Sequence, residues 1–117
     1  MNPQDKKFKL QSDQIRQLIP NMGGACATDR ITVDGMKVGY MFRELPDEPC
    51  LTGWTFMAGD ESQEYSDDAA NWAFYEVNTI CNYDPAIIPY LNEVYGTALG
   101  RVAGTDRFEE EPFQHRI

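Results

Sequence analysis

The densest group of reactive side chains in this sequence is Asp60-Glu61-Ser62-Gln63-Glu64-Tyr65-Ser66-Asp67-Asp68. Carboxylates this close could hold a hard cation such as calcium through their oxygens. The EF-hand loop does not fit, because with Asp60 in its first place no glycine falls in its sixth. Paired carboxylates could also run acid–base hydrolysis, but nothing in the sequence sets their separation or raises one pKa. The ordinary reading is a set of exposed loop and cap residues facing a basic partner. Cys26, Cys50 and Cys81 are odd in number, far apart and without a CxxC pair. A secreted disulfide framework wants an even count and a zinc site wants closer pairs, so they read as small, buried, reduced thiols. A nucleophilic thiol would need a base and positive surroundings. Arg30 is near Cys26 in sequence, whereas Cys50 and Cys81 have acidic neighbours that raise a thiol pKa. The single histidine, His115, stands near the C-terminus, so neither a histidine metal site nor a catalytic triad is expected. No metal and no cofactor is expected.

The elements that must position these residues follow from patterning. A chain of 117 residues is one domain's worth, and its 42% apolar content excludes disorder throughout. No apolar run approaches the ~20 residues of a membrane span, and no apolar stretch follows Lys6, Lys7 and Lys9 to make a secretory signal. Residues 1–20 read as a basic arm with a short helix over Asp13 to Ile19, capped by Ser12 and ended by Pro20. Residues 21–117 read as one domain. Ala25 to Thr28 and Arg30 to Val33 look extended, Asp34-Gly35 suggests a hairpin turn, and Lys37 to Arg43 the return strand. Gly53 to Ala58 and Trp72 to Val77 are further strands, with Trp54 and Phe56 on a core face. Ser66 to Ala70 suits one helical turn, and a short helix starts at Asn78-Thr79. Asp84-Pro85 opens another, with Asp84 as cap and Pro85 in the first turn. Thr97 to Ala103 is a late strand, and the tail from Phe108 adds an edge strand. The sum is an α+β fold: a mostly antiparallel, twisted sheet of about five or six strands with short helices packed on it.

Charge is the strongest single feature. The formal net charge is −9, and from Glu44 to Gly100 there is no lysine or arginine. Only Arg30, Lys37, Arg43, Arg101 and Arg107, arriving from elsewhere in the fold, could neutralise the carboxylates of that stretch. Such a field repels nucleic acid and draws basic partners. No GxGxxG, GxxxxGK[ST] or GxSxG occurs, so nucleotide binding and serine hydrolysis have no local support. Trp54 reads as core, whereas Tyr65 and Tyr83, flanked by polar residues, suit a binding surface or a core edge equally.

An ordered set of words spans most of the chain. It runs from Ala25-Cys26-Ala27-Thr28 through Val38-Gly39-Tyr40-Met41-Phe42-Arg43-Glu44 to Gly53-Trp54-Thr55-Phe56-Met57-Ala58-Gly59-Asp60-Glu61. Tyr75-Glu76-Val77-Asn78-Thr79-Ile80, Asn82-Tyr83-Asp84-Pro85-Ala86-Ile87-Ile88-Pro89-Tyr90-Leu91 and Gly96-Thr97-Ala98 follow. The set resembles the bacterial immunity protein 33 family over about residues 24–108. Members often carry Asp-Ser before the Gly-Trp, where this chain has Leu51-Thr52. The resemblance implies a small cytosolic protein of a polymorphic toxin system that binds and neutralises a cognate toxin, and it brings no catalytic residues.

The expectation is therefore a non-enzymatic, cytoplasmic immunity protein. Its contact surface is expected at Glu44, Asp60, Glu61, Glu64, Tyr65, Asp67 and Asp68. Its partner is a toxin protein, for which a basic nuclease domain is one candidate, with neither nucleic acid nor membrane as ligand. The rival readings are a self-associating regulatory or scaffold domain, for which a homodimer stays open, and a metal-dependent carboxylate hydrolase.

Overall fold

The Asp34-Gly35 turn does not close a hairpin. In the computed structural model, which describes residues 6–111, Asp29–Thr32 is one turn of helix (α1) following the strand Gly24–Thr28 (β1). Asp29 carbonyl accepts the amides of Val33 and Asp34, and Gly35, at φ +77°, lets the chain leave the turn. The stretch expected to be extended coils because Ile31 and Thr32 are both buried this way. The return strand is also shorter than expected, Tyr40–Arg43 (β2).

Freed from β2, β1 takes a central place. The sheet has six strands in the order β4-β1-β3-β2-β5-β6, where β3 is Leu51–Met57, β4 Trp72–Glu76, β5 Ala98–Arg101 and β6 Phe108–Glu110. Among the described residues only β1 against β3 is parallel, and the other four pairings are antiparallel. The α+β class and the mostly antiparallel sheet are as the sequence leads one to expect. The edge strand expected from Phe108 is present as β6, and the rest of that tail, with His115, lies outside the described residues.

Two helices and a 3-10 turn cover one face: α1, α3 (Val77–Tyr83) and Pro85–Tyr90. Ile31, Val77, Ile80, Ile87 and Leu91 pack there against Ala25, Ala27, Met41, Trp54, Phe56 and Leu99. Asp84 caps the 3-10 turn by accepting the Ala86 amide, with Pro85 in the first turn, as its type and place suggest. The small residues on β1 let α1 and α3 approach the sheet closely.

The opposite face is not covered in the same way. Strand alternation and register place Phe74, Cys26, Thr55, Phe42 and Ala98 in one row across five strands on that side. Phe74 is 67% exposed. Helix α2 (Gln63–Asp67) and the turn Ala69–Asn71 sit at one end of the sheet, where Trp72 Nε1 donates to the Ser66 carbonyl.

The helix expected over Asp13 to Ile19 is only a 3-10 turn at Ser12–Gln14, with Gln11 rather than Ser12 in the cap position and the Gln14 side chain accepting the Gln11 amide. Beyond it, two asparagines one turn apart on α3 take up the backbone. Asn78 Oδ1 accepts from the Leu18 amide, Asn82 Oδ1 accepts from the Arg16 amide, and both side chains donate to the Arg16 carbonyl. Side chains thus supply the bonds that a helix would have made internally. Earlier, buried Lys6 pairs with Asp29 at 2.6 Å, and Phe8 stacks edge-on against Tyr75.

Gly53 fixes the loop between β2 and β3. At φ +86°, an added Cβ would lie 1.8 Å from the Glu44 carbonyl oxygen. Gly104, at φ +74°, has open space at that position. Gly104→Ala should therefore cost only the left-handed backbone strain, about 1–2 kcal/mol. Gly53→Ala should cost a further ~1–3 kcal/mol for the clash. Urea unfolding of the two variants measures the difference, and equal losses would mean the Glu44 loop yields freely.

Candidate functional site

The acidic loop is built by its own carboxylates. Glu61 turns inward: one oxygen accepts from the Thr28 hydroxyl at 2.6 Å and the Ala58 amide at 2.8 Å, the other from the Gly59 amide. Ser62 then caps α2 by accepting the Tyr65 amide. Asp68 caps the next turn through the Ala70 amide. These residue types cap for the reason their sequence position suggests, since a short side-chain oxygen reaches the amides that a helix start leaves open.

Asp60 is held by Arg30, whose guanidinium spans Asp60 and Asp34. That pairing holds the Asp60 carboxyl below its usual range and pushes the Arg30 pKa up. Glu64, Asp67 and Asp68 are exposed, and Asp67 accepts from Gln63. Tyr65 is half-buried; burial, then the charges of Asp29, Asp34 and Glu61, push its phenol up to about 12. The hydroxyl is thus a neutral hydrogen-bonding group at the edge of an anionic surface.

Of the seven residues singled out, six lie in the loop and helix that follow β3, and Glu44 lies elsewhere. Its amide donates to Gly53 near the start of β3, whereas Ala58 and Gly59 follow that strand's end. Five residues of extended chain put the two places roughly 17 Å apart. Glu61 differs in kind, since its oxygens serve the fold. Arg30 and Thr28 were not singled out, although the Arg30 and Asp34 spacing of four residues was a readable signal for part of that network.

The remaining reactive groups do not converge. Cys26 and Cys81 have thiols pushed up to about 11, chiefly by burial. Only Cys81 is fully buried, which corrects the expectation that all three are: Cys26 is half-buried and Cys50 exposed; Cys50 lies in the Glu44–Cys50 loop, where Sγ faces the Glu48 carboxylate. Among the described residues, no three His, Cys, Asp or Glu side chains come together to hold a metal ion. No helix among them is long and apolar enough to cross a membrane. Tyr83 belongs to the core edge, its hydroxyl accepting from the Leu10 amide.

No curated protein and no solved structure matches the chain. A family does: the Immunity protein Imm33 domain matches residues 25–111, from the start of β1 to just past β6. Apart from Gly24, that span takes in the six strands and three α-helices of the described residues and the capped acidic loop, so the chain belongs to the Imm33 immunity protein family.

Proposed function

We propose that this protein is a cytoplasmic, non-enzymatic immunity protein that binds a cognate bacterial toxin domain and neutralises it through an acidic surface. Membership of the Imm33 family carries the reading. The charge supports it: a net −9, with no cation between Glu44 and Gly100, suits an inhibitor of a basic toxin, a nuclease being one such class. Glu64, Asp67 and Asp68 supply exposed carboxylates, Tyr65 a half-buried ring with a polar tip, and Asp60 a charge shared with Arg30. Glu61 shapes this patch from beneath, and Glu44 contributes at the other end of the sheet.

The test is co-expression with the toxin domain encoded beside its gene, followed by purification of the pair. Growth rescue and a stoichiometric complex are expected. Reversing charge at Glu64 and Asp67, each to lysine, together with Asp68→Asn, which keeps the cap oxygen on the Ala70 amide, should slow association by about tenfold or more and flatten its salt dependence. These exposed positions leave the fold intact, so melting temperature serves as control. An unchanged association rate and salt slope would remove the patch from the interface. A tight homodimer that rescues nothing would favour the scaffold reading instead.

A further inference from the structure

We propose that the uncovered sheet face beneath the Glu44–Cys50 loop is a second contact surface, which takes a toxin segment carrying an apolar side chain flanked by lysine or arginine. The proposal rests on the toxin-binding reading and names where the apolar anchor sits.

The site is a groove of about 220 Å³ lined by Cys26, Leu45, Leu51 and Phe74, with Glu44 and Asp47 at its rim. Its form follows from the register. Cys26 pairs with Phe74 on one side and with Thr55 on the other, and Thr55 pairs with Phe42. Two phenylalanines therefore stand on either side of two small residues, leaving a trough in the sheet surface. Phe74 and Leu45 are 67% and 75% exposed. Exposed large apolar side chains that line one groove, here from an edge strand and from a loop, are what buried anchors at interfaces pack against.

Charge selects the occupant. None of the residues lining the groove is a lysine or arginine. Asp47 and Glu76 are exposed, and Glu76 shares the sheet face of Phe74, two residues along β4. The nearest arginine in sequence, Arg43, turns to the helical face, where it donates to the carbonyls of Thr52, Leu91 and Glu93 and lies over the Tyr95 ring. An apolar floor with an acidic rim favours a basic, apolar segment. It disfavours a second copy of this chain, because like rims would meet.

The experiment uses the toxin domain whose killing the intact chain suppresses. Phe74→Ala with Leu45→Ala should weaken that complex by tenfold or more without lowering the melting temperature, since both side chains are exposed. A photo-crosslinking residue at position 74 should join to a toxin peptide containing lysine or arginine. Unchanged affinity in the double variant, with no crosslink to toxin from position 74, overturns the groove while leaving toxin neutralisation standing. A crosslink to a second copy overturns it in favour of self-association. Failure of the intact chain to bind or suppress any toxin domain overturns both.

Discussion

Asp84→Ala should destabilise the fold by about 3–5 kcal/mol, the range for removing one partner of a buried ion pair. The carboxylate is 2% exposed and has three tasks. One oxygen caps Pro85–Tyr90 through the Ala86 amide. The other accepts from the Val38 amide at 3.0 Å and from the Arg101 guanidinium. Val38 leads into β2, Arg101 ends β5, and Asp84 leaves α3, so one side chain ties three parts of the chain together. Its loss strands a buried amide and leaves Arg101, among the described residues, with the exposed Asp106 as its one ion-pair partner. Thermal unfolding should shift down by on the order of 10–20 °C. Asp84→Asn keeps an oxygen for the cap and should cost less, about 1–3 kcal/mol. A loss below about 1 kcal/mol for the alanine variant would show that Arg101 and Val38 find other partners. A double-mutant cycle with Arg101→Met isolates the pair from the cap.

Trp54→Ala should cost about 3–5 kcal/mol through the cavity it leaves. Trp54 is 1% exposed at the centre of β3 and stacks with Phe56 at 5.9 Å. Its indole N–H donates to the Leu91 carbonyl at 3.0 Å, joining the sheet to the segment after Pro85–Tyr90. Arg43 lies 5.6 Å from the ring centre and donates to the same carbonyl. Because that carbonyl keeps Arg43, Trp54→Phe should lose little beyond one hydrogen bond and some area, about 1–2 kcal/mol. Urea unfolding of both variants separates the two effects. Similar losses would mean the N–H bond, rather than packing, dominates the site.

Much of the local structure was legible because it depends on neighbours in sequence. Asp84 caps and Pro85 follows it, and Trp54 and Phe56 fall on one face of a strand, each by rules of a few residues' range; the single turn expected over Ser66 to Ala70 is instead the end of α2 and a new turn, divided at Asp68, whose side chain caps Ala69–Asn71. Where the reading failed, distant residues decided. Arg30 to Val33 coils because burial of Ile31 and Thr32 outweighs the apolar alternation that suggests a strand. Asp13 to Ile19 stays unwound because Asn78 and Asn82, some sixty residues away, supply bonds to its backbone. The acidic residues were legible as a group but not as individuals. Nothing in sequence separates Glu61, turned onto Thr28, from Glu64, left in solvent.

By itself the sequence determined the class of fold, its family, the strongly acidic balance and the capped start at Asp84-Pro85. These are set by composition, short-range hydrogen bonding and side-chain period. Tertiary structure decided the strand order, the placing of β1 parallel to β3, the distance between Glu44 and the Asp60–Asp68 loop, and the groove at Phe74 and Leu45. Each depends on which strands pair and in what register. Register fixes which side chains share a face, and pairing between distant segments is settled only when the whole core is buried.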